Sequence, residues 1–125
     1  MDEAALQFLA EQMQGLGIPY ALMEWQEKPP DDCYFVGEYM EHPSDTMEES
    51  GLHESTFILR GFTRKEWLLL EQARGRIEKH VGRTAILPDG EGIAVFYEGA
   101  QPVPTGDGAL KSIKINLRIK EWKVK

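Results

Sequence analysis

One cysteine, Cys33, stands among 125 residues. It cannot form an internal disulfide, which suits a reducing cytosol. No apolar run approaches the roughly 20 residues that cross a bilayer as a helix. A secretory signal needs a basic start and an unbroken apolar stretch. The chain instead opens on Met1, Asp2 and Glu3 and then becomes charge-punctuated, so no such signal is expected.

Chemistry-bearing spacings are also scarce. His42, His53 and His80 are far apart, and neither an H-x-x-x-H nor a C-x-x-C pattern occurs. The usual zinc arrangements are therefore missing. His42, Asp45, Glu48, Glu49, His53 and Glu54 do crowd one stretch. A weak hydrated cation site is conceivable there, but without spaced ligands the favoured reading is a solvated acidic loop. Cys33 follows Asp31 and Asp32, whose charges raise a thiol pKa and reduce its nucleophilicity. No G-x-S-x-G is present. Gly90-Glu91-Gly92 and Gly106-Asp107-Gly108 lack the lysine and hydroxyl of a phosphate loop. The reading is a protein without catalytic, cofactor or metal residues.

Basic residues are nearly missing from the first half. Residues 1–59 carry 13 acidic side chains and one basic one, Lys28, a formal −12. Residues 60–125 carry 13 basic and 8 acidic side chains, a formal +5. Such a split can average out over an interleaved fold. It can also give two surfaces through which copies of the chain associate head to tail.

What is present reads as one α+β domain over residues 1–125. Leu6, Leu9, Met13 and Leu16 recur at helical spacing over 2–14, and Gly15 and Gly17 supply the stop. An extended pattern over 18–25 ends at Pro29-Pro30-Asp31-Asp32. Residues 33–41 and 52–62 read as a hairpin around an exposed acidic loop, with Gly37 marking a bulge or a close approach. Thr63-Arg64-Lys65-Glu66 matches a capping box, with Phe62 stapled onto Trp67. The helix that follows buries Trp67, Leu70, Ala73, Ile77 and Val81. Gly82 reads as its left-handed C-terminal stop. Residues 84–87 and 92–97 form a second hairpin. Residues 99–109, rich in glycine and proline, read as a mobile loop. In the last strand Ile113, Ile115, Leu117 and Ile119 alternate with polar residues, and at Trp122 and Val124 the apolar phase flips, predicting a bulge or departure from the sheet. The order is α-β-β-β-α-β-β-β: a mostly antiparallel sheet of about six strands with two amphipathic helices on one face.

Lys111, Lys114, Arg118, Lys120, Lys123 and Lys125 line the terminal strand and could meet phosphates. A pI near 5.0 and the lack of interleaved aromatics before Trp122 argue against direct nucleic-acid binding. A solvated edge guarded by lysines is one alternative; a protein partner, including the acidic half of another copy, is a second. Trp25 and Trp67 read as core, whereas Trp122 is a candidate interface anchor. Candidate interface residues are thus Asp45, Glu48, Glu49, His53, Glu54, Lys114, Arg118, Lys120 and Trp122.

Tyr34-Phe35-Val36-Gly37-Glu38-Tyr39, an acidic loop, Glu54-Ser55-Thr56-Phe57-Ile58-Leu59-Arg60-Gly61-Phe62-Thr63-Arg64 and a long helix together resemble small proteins of phage and prophage tail morphogenesis. The element order is similar to that of the tail-completion family (tail terminators and tail-to-head joining proteins). The resemblance covers nearly the whole chain as topology and residues 34 to 81 as sequence. It implies a non-enzymatic virion structural protein that forms a ring, hexameric in such families. The ring closes the tail tube and faces the head connector, with the tube and connector proteins as partners and no membrane. Such a subunit is made in the bacterial cytoplasm and ends in the virion tail. A non-enzymatic adaptor or regulatory protein-binding module is the alternative.

Overall fold

The computed structural model describes residues 1–42 and 52–122. Asp45, Glu48, Glu49, Lys123, Val124, Lys125 and the acidic loop lie outside the described residues.

The N-terminal helix, α1 (Glu3–Gly15), is bounded by its sequence at both ends. The Asp2 carboxylate accepts from the Ala5 backbone N–H at 3.0 Å, satisfying one of the donors a helix start leaves open. At the other end Gly17 N–H donates to Gln14 O and Ile18 N–H to Met13 O, with Gly17 at φ 70. That is a Schellman stop, sealed by the buried Met13 and Ile18 side chains.

Strands β1 (Tyr20–Leu22), β2 (Tyr34–Glu41) and β3 (Leu52–Thr63) follow, then α2 (Trp67–His80), β4 (Thr84–Ile86), β5 (Gly92–Val103) and β6 (Lys111–Trp122). They build one six-stranded sheet in the order β1-β2-β3-β6-β5-β4. The α+β class and the order α-β-β-β-α-β-β-β are as expected from the sequence. All pairings are antiparallel except β1 with β2, which run parallel.

The central pair β3–β6 sets the two faces. Phe57, Leu59, Ile113, Ile115, Leu117 and Ile119 point to one side and are almost fully buried. Ala5, Leu9 and Met13 of α1 and Leu70, Ala73 and Ile77 of α2 join them in a single core. Both helices therefore cover the same face, as the two apolar stripes require.

Several expectations need correction. Thr63 is the last residue of β3, paired with Lys111, and does not cap α2. Its hydroxyl donates to Asp32 O and accepts from Lys65 N–H, while Glu66 occupies the cap position without a side-chain cap bond. Phe62 stacks on Tyr34 at 5.3 Å on the opposite face of the sheet, so it staples nothing onto Trp67. Trp25 packs against Tyr34 at 5.3 Å, outside the main core. Gly82 is not in the left-handed region. The predicted 99–109 loop is shorter, because β5 runs on to Val103. Gly99, at φ 138, passes the chain through a bulge after Tyr97, and Pro102 sits on the outer strand edge beyond the end of β4, where it interrupts no ladder. Nor does β6 leave the sheet: Trp122 pairs with both Leu52 and Gly92.

Gly37 proves to be a close approach. A Cβ there would lie 2.6 Å from Phe57 Cζ and 2.7 Å from the Tyr20 hydroxyl; at Gly61 it would lie 2.5 Å from Phe35 Cε2. Phe35 is fully buried and Ile113 closes the other side, so its ring cannot swing away. Gly61→Ala is expected to destabilise the fold by about 1–3 kcal/mol through overpacking, read as a lower urea midpoint at unchanged slope. Burial pushes the Tyr20 phenol up to about 12 from its ordinary 10.0. Above pH 10 the unfolded chain then loses this proton before the native one does, so it binds fewer protons and stability falls between about pH 10 and 12. Tyr20→Phe is expected to flatten that limb in denaturant titrations across this range.

Candidate functional site

The face turned away from the helices carries the second half of each strand's alternation. Registered rows run across β2, β3, β6 and β5. Val36 aligns with Arg60, Lys114 and Gln101; Glu38 with Ile58, Asn116 and Gly99; Met40 with Thr56, Arg118 and Phe96. Farther along, Glu54 aligns with Lys120 and Ala94, and Leu52 with Trp122 and Gly92. Tyr34 and Phe62 end the face at one side, extended by Trp25. Aromatic and aliphatic side chains thus alternate with four cations and two carboxylates on a surface that neither α1 nor α2 covers.

Ion pairs occupy part of it. Arg60 Nε lies 2.6 Å from Glu38 Oε1, and Lys120 Nζ lies 3.5 Å from Glu54 Oε1. Lys114 and Arg118 have no carboxylate within ion-pair distance among the described residues. The Arg118 guanidinium lies over the Phe96 ring, its carbon 5.0 Å from the centroid, and Lys120 Nζ approaches the same ring at 5.8 Å. Arg118 Nε is covered and has no hydrogen-bond partner among the described residues. A half-buried cation held by a ring, with a donor unsatisfied, is a favourable place for an incoming anion.

Of the residues singled out from sequence, Glu54, Lys114, Arg118, Lys120 and Trp122 meet on this face. His53 does not: it lies on the helix-bearing side, opposite Glu121 in the ladder. There it helps to line a pocket of about 350 Å³ with Glu41, His42, Glu54, Ser55 and Glu121. Glu121, 2% exposed, continues the buried column of β6 where the core face turns polar. His42 is fastened to Thr56, Nε2 to Oγ1 at 2.8 Å. Sequence reasoning passed over Phe96, Arg60, Met40, Tyr34 and Phe62. Their signal lay in pairing across strands, which a search along the terminal strand does not see.

Elsewhere, carboxylate oxygens of Asp2, Asp89 and Glu91 lie within 4.8 Å of one another, an oxygen set of the kind a hard divalent cation takes. Asp2 is already engaged as the α1 cap. Arg74 ties Glu71, Glu78 and Tyr97 together at 2.6, 2.8 and 3.1 Å, which raises its own pKa and lowers that of Glu71. This links α2 to β5.

Burial, more than the neighbouring aspartates, raises the Cys33 thiol; Arg76 opposes it and Asp32 adds to it. Iodoacetamide at neutral pH is therefore expected to alkylate Cys33 in the folded protein well below the rate of free cysteine, rising to that rate in urea. Alkylation as fast as free cysteine in the native state would contradict this.

No protein-family model matches the chain, and no curated protein matches it.

Proposed function

We propose that this chain is a non-enzymatic structural subunit of a phage or prophage tail, a tail-completion protein. It associates with copies of itself into a ring at the end of the tail tube and meets the head connector. The observation that carries this reading is the helix-free face, where Phe96 and Trp122, 39% and 41% exposed, accompany the half-buried cations Lys114 and Arg118. Aromatic and arginine side chains at the centre of a surface are typical of protein contacts. The formal −12 of residues 1–59 gives another copy the opposite charge to set against these cations. The order α-β-β-β-α-β-β-β, similar to that of tail-completion proteins, supports the same reading.

A contact built from opposite charges strengthens as salt falls. Native mass spectrometry of the purified chain through a salt series, alone and with the tail tube protein of the same phage, is expected to give a discrete closed oligomer. Its population should rise as ionic strength drops. A monomer at every salt concentration, with no binding to the tube, would overturn the proposal.

A further inference from the structure

The helix-free face has cations without counter-charges, and another part of the chain has the reverse. The connection from β1 to β2 contains Glu24, Glu27, Asp31 and Asp32 against the single cation Lys28, and all five are exposed. Lys65 holds Asp32 at 2.5 Å, and that contact raises the Lys65 pKa. Glu27 and Asp31 have no cation within ion-pair distance among the described residues, and the Asp31 charge acts on Lys65 from farther away. Within one molecule Lys114 and Arg118 do not pair with these groups. The connection leaves β1 and ends beside the last residue of β3, where Asp32 O accepts from the Thr63 hydroxyl. Thr63 pairs with Lys111, and Lys114 and Arg118 lie farther along β6 from that end. At a rise of about 3.3 Å per residue they stand on the order of 10 and 23 Å along the strand, beyond ion-pair reach.

We propose that the helix-free face of one copy receives the 24–32 connection of the next copy, with Lys114 and Arg118 facing Glu27 and Asp31. Phe96 holds the Arg118 guanidinium over its ring, so the cation is ordered before its partner arrives and less side-chain freedom is lost on contact. Donor and acceptor surfaces differ, so the contact is heterologous. Repetition then gives a closed ring or an open chain of subunits, never a symmetric pair. This inference rests on the self-assembling reading above and assigns its interface.

Charge reversal on each side separates the two ideas. Lys114→Glu with Arg118→Glu disables the face, and Glu27→Lys with Asp31→Lys disables the connection. Like charges brought together at a contact cost several kcal/mol, so each double variant is expected to weaken self-association about a hundredfold or more. Mixed in equal amounts, the two should assemble together in alternation, because an intact connection meets an intact face and the reversed, cationic connection meets the reversed, anionic face. Co-assembly also shows that both variants are folded. Lys114→Ala with Arg118→Ala, which removes charge without reversing it, gives an intermediate loss if the contact is as described. Oligomers of wild-type size from either double variant would overturn this interface while leaving the ring intact. A wild-type chain that stays monomeric under every condition, tube included, would overturn the ring and the interface together.

Discussion

Twelve residue pairs join β3 to β6, from Leu52 opposite Trp122 to Thr63 opposite Lys111. Side chains alternate along both strands, so this one register decides which residues meet the helices and which meet the outside. Phe57, Leu59, Ile113, Ile115, Leu117 and Ile119 go to the core together, and Arg60, Lys114, Arg118, Lys120 and Trp122 go to the other face together. A slip by one residue would place lysines under α1 and α2 and isoleucines in water. Gly37 and Gly61 help to hold the packing beneath the helices, because the Phe57, Tyr20 and Phe35 side chains fill the space where a Cβ would stand.

The helices and the alternation of β6 were legible in the sequence because each buries one clean periodic set. What escaped notice depends on partners far away along the chain. Gly99-Ala100-Gln101-Pro102 reads as a loop, yet it is strand, because Gly99 accommodates the bulge and Pro102 needs no bond on an outer edge. Thr63-Arg64-Lys65-Glu66 has the composition of a capping box, but pairing with Lys111 and the bond to Asp32 claim the threonine first. The apparent phase flip at Trp122 came from expecting every core-side residue to be apolar. Glu121 fills that position where the pocket beside His53 and Ser55 turns the core polar. On the candidate face the cations were identifiable one strand at a time. The ring beneath Arg118 was not, because Phe96 comes from another strand.

Charge and shape thus fall into one scheme. The helix side of the sheet is closed by apolar packing. The other side carries cations in excess over carboxylates and exposes aromatic residues among them. The N-terminal half supplies most of the chain's negative charge, part of it on the exposed connection between β1 and β2. Two complementary surfaces that do not pair within one molecule are the requirement for head-to-tail assembly.

The central claim is that the helix-free face is covered by protein when the chain is assembled. Hydroxyl-radical footprinting of the assembled and dissociated states, read side chain by side chain, tests it directly. Met40, Phe96 and Trp122 should lose reactivity on assembly, while Leu68 on α2 and Ile86 on β4, 57% and 76% exposed, keep theirs. Loss of reactivity at Leu68 and Ile86 with Met40, Phe96 and Trp122 unchanged would contradict the account.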